Sequence, residues 1–212
     1  GSRVLGPALA GFLIYYYDLE TAFLISAIFY LPVILILFFL RLSDRKLSNK
    51  TEKSFFKKLI EGLRFALNDS FILKKLFLVF VNSFFIRGIL EIQPTIAGDL
   101  LSGSITSLSI ITASAGIGAL IGAIMLGSGK YSEENLINLF KPMLALGFLN
   151  CIIIGLFPNL FILTTSFLII GFSTTIIGIG TQTLIQLNVE EKYRARVLTW
   201  WSTISFGSLS LG

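Results

Sequence analysis

Residues 105–126 read ITSLSIITASAGIGALIGAIML, a stretch without a single formal charge. A helix climbs about 1.5 Å per residue, so about 20 residues cross a hydrocarbon core about 30 Å thick. A helix of that length in a water-soluble core would need a charged face. Thr21–Leu40 and Leu160–Leu187 have the same character. The solvent of this chain is therefore lipid, and the predicted fold class is an all-α membrane protein, a polytopic helical bundle.

Working outward, apolar blocks alternate with short polar breaks. The spans read as Val4–Tyr17, Thr21–Leu40, Phe71–Pro94, Ile105–Leu126, Leu139–Phe157, Leu160–Leu187 and a last one from Val197 onward. Hydrophobic residues make up 54% of the chain and charged ones 14%, where soluble domains carry about 25%. The chain has no His and a single Cys, Cys151, inside an apolar run. Disulfide frameworks are excluded, Cys151 reads as a packing residue, and no metal or cofactor is expected. No Gly-x-x-x-x-Gly-Lys-[Ser/Thr] phosphate loop is present. Convergent His, Asp, Ser or Cys groups are missing too, so the chain does not read as an enzyme.

The basic residues set the direction of threading. Ten Lys/Arg lie in 41–75, two in 127–141 and three in 188–196. The breaks at 18–20, 95–104 and 158–160 hold none, but contain Asp18, Glu20 and Asp99. By the positive-inside rule the basic breaks are cytoplasmic, which makes the protein a multi-pass protein of the cell (inner) membrane with 41–70 in the cytoplasm. The net charge of +5 is thus a topology signal and not a nucleic-acid footprint. Within the basic stretch, Phe55, Phe56, Leu59, Ile60, Leu63 and Ala66 recur at helical spacing, with Lys57, Lys58, Glu61 and Arg64 opposite. That pattern predicts an amphipathic linker helix in the membrane surface, with a lipid-sensing or calmodulin-like role as the alternative.

Three features inside the spans exceed bulk hydrophobicity. Arg87 and Glu91 are charges at membrane depth, where each costs at least about 2.5–3.5 kcal/mol unless it faces protein or water. Their spacing would put them on one helical face, with Ser83 a turn earlier and a kink or end near Pro94. A structural ion pair and a coupling site both fit. Small residues stripe the next spans: Ala115, Gly116, Gly118, Ala119, Gly122 and Ala123, and then Gly171, Thr175, Gly178, Gln182 and Gln186 on one face. Such stripes let membrane helices approach closely; Ser83, Thr175, Gln182 and Gln186 are the candidates for lining a substrate pathway. Finally, Gly6-Pro7-Ala8-Leu9-Ala10-Gly11 combines a bend-permitting Pro with flanking Gly residues.

That last element resembles the Gly-Pro-x-x-Gly-Gly element closing the fifth transmembrane helix of efflux antiporters in the major facilitator superfamily, with Ala10 in place of one Gly. Arg87-Gly88-Ile89-Leu90-Glu91-Ile92-Gln93-Pro94 is similar to an Arg-Gly-x-x-Glu-Leu-x-Pro-like stretch in the seventh helix of its bacterial drug- and siderophore-exporter branch. Arg194-Ala195-Arg196 resembles the family's Arg-Gly-Arg loop. The fuller Asp-Arg-rich loop after the eighth helix is reduced here to Gly127, Gly129 and Lys130.

The resemblance implies a partial major facilitator fold, from about helix five to helix eleven. It divides the chain into 1–40 (the last two helices of the N-terminal half), 41–70 (the linker) and 71–212 (the C-terminal half). It implies a secondary active transporter working by alternating access, with proton-coupled efflux of a small hydrophobic or amphiphilic molecule as the favoured activity. Glu91 would carry the proton and Arg87 would be its partner. Gly6, Pro7 and Gly11 would serve the bend, Gly116, Gly118, Gly122 and Gly178 the packing, and Arg194 and Arg196 the cytoplasmic loop. The expected partners are the lipid bilayer, a small-molecule substrate, the proton and the remainder of the transporter's own chain. The alternative is a non-transporting scaffold or sensor on a transporter fold; a channel is disfavoured because no span repeats a ring-forming polar motif.

Overall fold

The computed structural model describes residues 19–39, 55–100, 105–129, 131–157 and 159–208. Among them lie eight α-helices and no strand. In chain order these are α1 (Leu19–Phe39), α2 (Phe55–Asn68), α3 (Ser70–Val81), α4 (Gln93–Leu100), α5 (Ile105–Ser128), α6 (Glu133–Leu156), α7 (Leu160–Asn188) and α8 (Glu191–Gly207). A π turn (Asn82–Ile86) and a 3-10 turn (Arg87–Leu90) link α3 towards α4. Thr106–Ser128, Glu133–Leu156 and Leu160–Asn188 are long and apolar enough to cross a membrane. Ser70–Leu90 with Gln93–Asp99 qualifies as a fourth span, bent by 41°. The span expected at Val4–Tyr17 lies outside the described residues, as do Gly6, Pro7 and Gly11.

Large apolar side chains cover the outside: Leu24, Phe29, Phe38 and Phe39 on α1, Ile124 on α5 and Phe161 on α7 are all exposed. In water this would be a fault, but lipid tails are as apolar as Leu. The fold is therefore held by close packing. Half of the apolar window of α7 is buried against 28% for α5 and α6, so α7 is the central helix. It meets α5 backbone to backbone. A methyl group at Gly118 would run into the Leu168 carbonyl, and one at Gly171 into the Ala115 carbonyl. At Gly122 it would lie 3.0 Å from the Phe172 carbonyl. On its other side α7 buries Ile177 and Leu184 against Leu136, Phe140 and Met143 of α6.

Three helix boundaries differ from the hydropathy reading. The polar link expected at 127–138 shrinks, because α6 begins at Glu133, capped by Ser132 Oγ, which accepts from Asn135 N–H at 3.3 Å. The charged link expected at 188–196 shrinks as well, since α8 starts at Glu191, with that carboxylate in its first turn. Acidic groups there favour the positive end of the helix macrodipole. The long third span is broken at Glu91-Ile92, ahead of Pro94. Pro94 is the second residue of α4, in a first turn where a missing N–H is tolerated.

The helix predicted within the basic stretch forms where periodicity places it, as α2, and packs on α8. Glu61 bonds Arg196 of α8 at 2.8 Å, Phe65 stacks on Tyr193 at 4.4 Å, and Ala66 is fully buried. A methyl group at Gly62 would fall 2.6 Å from Arg196 Cβ. Ile60, expected on the same face as Ala66, is exposed, as is Leu67. Gly62 lets α8 approach closely. Asp69 then caps α3, accepting from Phe71 N–H at 2.8 Å.

Candidate functional site

The site begins where α3 stops being regular. In the π turn the Arg87 N–H reaches back to the Asn82 carbonyl, and in the following 3-10 turn Glu91 N–H bonds the Gly88 carbonyl at 3.0 Å. A π turn adds one residue to the ladder, which rotates everything beyond it by roughly 100°. The 3-10 turn between Arg87 and Glu91 then advances about 120° per residue instead of about 100°, so the two do not share the face that plain helical spacing would give them. Arg87 is half-buried, whereas Glu91 stands exposed at the break. Ile86 anchors the turn: it is fully buried on Gly147, where a methyl group would come within 2.7 Å of its Cδ1. The Cys151 thiol lies 3.9 Å from the Phe85 carbonyl.

Beside this irregular stretch lies a cavity of about 560 Å³, walled by the turn, α5, α7 and α8. That volume falls in the usual range of small-molecule sites. Val79, Ala115, Ala119 and Ile179 supply apolar wall. Arg87 is held from the neighbouring helix: its Nη1 donates to Ser205 Oγ at 3.1 Å, and its guanidinium sits 5.2 Å from the Phe206 ring centre. Among the described residues no ion pair within 4 Å joins Arg87 to Glu91. Thr112 Oγ1 donates to Gln93 Oε1 at 2.9 Å, and Trp201 Nε1 donates to Thr181 Oγ1 at 3.1 Å. Asn82 and Ser83 are almost completely buried, yet among the described residues the Asn82 amide oxygen and the Ser83 hydroxyl have no hydrogen-bond partner. Leaving such a group unsatisfied costs about 1–3 kcal/mol.

The cavity gathers most of the residues singled out from the sequence: Ser83, Arg87, Glu91, Thr175 and Gln182, together with Gly116 and Gly178. Gln186 is exposed and takes no part in the wall. Gly118 and Gly122 belong to the α5–α7 seam. Gly178 differs from both: a methyl group there meets nothing within 4 Å, so it opens onto the cavity instead of a helix contact. Arg194 and Arg196 lie apart from the cavity, with Arg194 Nε donating to the Val189 carbonyl at 3.3 Å. Sequence reasoning missed Asn82, Gln93, Thr112, Trp201 and Ser205. Only Asn82, as the polar neighbour of Ser83, carried a usable signal.

No curated protein and no solved structure matches the chain. The family model of the Major Facilitator Superfamily matches residues 1–212. An all-helical, multi-pass bundle with a cavity among its spans agrees with that match. The chain belongs to the major facilitator superfamily, whose members are secondary transporters that work in the lipid bilayer on small-molecule substrates.

Proposed function

We propose that the protein is a proton-coupled exporter of a small hydrophobic or amphiphilic molecule, working by alternating access. The observation that carries this reading is the pair of charges, Arg87 and Glu91, on the wall of a cavity at the break of a membrane span. Discontinuous spans are where transporters place substrate and ion sites. Glu91, at the break, takes up and releases the proton, and Arg87 answers to its charge state from the other side of the turn. The largely apolar wall takes the body of the substrate, with Thr175 and Gln182 offering polar contacts.

Under this reading 1–40 and 71–212 belong to the two halves of the transporter and 41–70 is the cytoplasmic linker, in a protein of the cell (inner) membrane. Gly6 and Pro7 form the bend that controls closure on the outer side. Arg194 and Arg196, expected in a loop, lie in the first turns of α8 and face the cytoplasmic side under this reading. The test is flux in proteoliposomes holding the complete protein. Glu91→Gln should abolish proton-driven accumulation while sparing exchange driven by substrate alone. Proton-driven flux equal to the parent removes Glu91 from the coupling role, and no flux under any gradient favours the scaffold or sensor reading.

A further inference from the structure

Among the described helices, several buried polar side chains satisfy themselves on their own backbone. Ser173 Oγ donates to the Ile170 carbonyl at 3.1 Å and Thr181 Oγ1 to the Ile177 carbonyl at 2.7 Å. The side-chain amide of Asn150 donates to the Leu146 carbonyl at 2.9 Å. Such back-bonding to a carbonyl three or four residues earlier is the easy exit for a hydroxyl or amide in a helix. The Asn82 amide oxygen and the Ser83 hydroxyl do not take it, although they are 97% and 99% buried and line the cavity. They are consecutive residues opening a π turn, a feature concentrated at functional sites. Polar atoms kept unsatisfied at a cavity wall are atoms held ready for an occupant.

The charge beside them says which occupant. Arg87, one π turn on, lines the same cavity and sets a positive field at that end. The carboxylate of the site, Glu91, lies beyond the 3-10 turn and is exposed. The opposite wall, at Ala115, Ala119 and Ile179, is apolar. We propose that Asn82 and Ser83 form the head-group subsite of this cavity, and that the ligand is an amphiphile whose polar end carries an oxyanion. The ligand's oxyanion faces Arg87 and accepts from the Ser83 hydroxyl. The Asn82 amide, which offers either an acceptor or a donor by turning about its last bond, takes a hydroxyl or amine next to it. The apolar body lies along α5 and α7.

This assignment rests on the transport reading for its purpose, but binding at equilibrium tests it without any flux. The probes are anilinonaphthalene sulfonate, its sulfonate-free parent phenylnaphthylamine, and ethidium as a cation of similar girth. Each is titrated against the protein in phosphatidylcholine nanodiscs, with empty discs as blank. The sulfonate should bind at least about tenfold more tightly than the neutral parent, and ethidium more weakly than either. Ser83→Ala should weaken sulfonate binding by about fivefold and leave phenylnaphthylamine within about twofold, which also reports that the variant is folded. Asn82 faces the amine both probes share, so Asn82→Leu should weaken both by about fivefold.

Asn82→Leu carries a second readout. Removing an unsatisfied buried amide should leave the melting temperature unchanged or higher, whereas a purely structural Asn82 would lower it. Equal affinity for sulfonate and neutral parent overturns the subsite, as does preference for ethidium, or an unchanged sulfonate affinity in both variants. Flux without this selectivity would leave the transport reading standing and the subsite refuted. Selectivity without flux would do the reverse.

Discussion

The α5–α7 seam and the turn at residues 82–92 both bury polar side chains within the spans and treat them in opposite ways. In the seam, Gly118 and Gly171 strip away side chains until each helix rests on the other's carbonyls, and Ser114 donates to the Ile111 carbonyl at 2.7 Å. Nothing polar is left over. In the turn, an added backbone residue interrupts the helix beside the cavity, and Asn82 and Ser83 are buried with hydrogen-bonding capacity unspent. The seam is built for adhesion, where lipid offers no drive for helices to associate except packing. The turn gives up adhesion for room.

Substitutions that break this contrast rank by size. Gly118→Val or Gly171→Val forces a side chain into a carbonyl that cannot move aside, and should cost about 3 kcal/mol in thermal unfolding in detergent. Trp201→Phe removes the indole donor to Thr181 at the cavity wall; hydrogen bonds between membrane helices average about 0.6 kcal/mol, so a loss of about that size is expected. Ser83→Ala goes the other way and should raise stability by up to about 1 kcal/mol, because the hydroxyl it removes has no partner. Gly178→Ala should stay within about 0.5 kcal/mol of the parent, since its space is open. A large penalty at Gly178, or none at Gly118, would erase the distinction between cavity glycines and seam glycines.

How much of this the sequence could reveal follows from which forces act over short stretches. Hydropathy placed spans at Ile105–Leu126 and Leu160–Leu187, because a bilayer of fixed thickness demands about 20 apolar residues in one run. It could not place helix ends: Glu133 and Glu134 are polar and helical at once, and hydropathy counts only the first property. In α2 the apolar periodicity predicted a helix, but not that Glu61 would pair with Arg196 of α8 beside the small Gly62. In the site, membrane-depth charge singled out Arg87 and Glu91, and small-polar spacing found Thr175 and Gln182. The π and 3-10 turns have no residue signature, so the change of pitch that separates Arg87 from Glu91, and the stranding of Asn82, could be read only from the backbone.

Trp201 gives the molecule an optical voice of its own. Its ring lies on the cavity wall with the nitrogen tied to Thr181, while the only other tryptophan is its neighbour, Trp200. In a Trp200→Phe background, the colour of the remaining emission would track how wet that wall is. Filling and emptying of the chamber could then be followed in real time, with no dye attached.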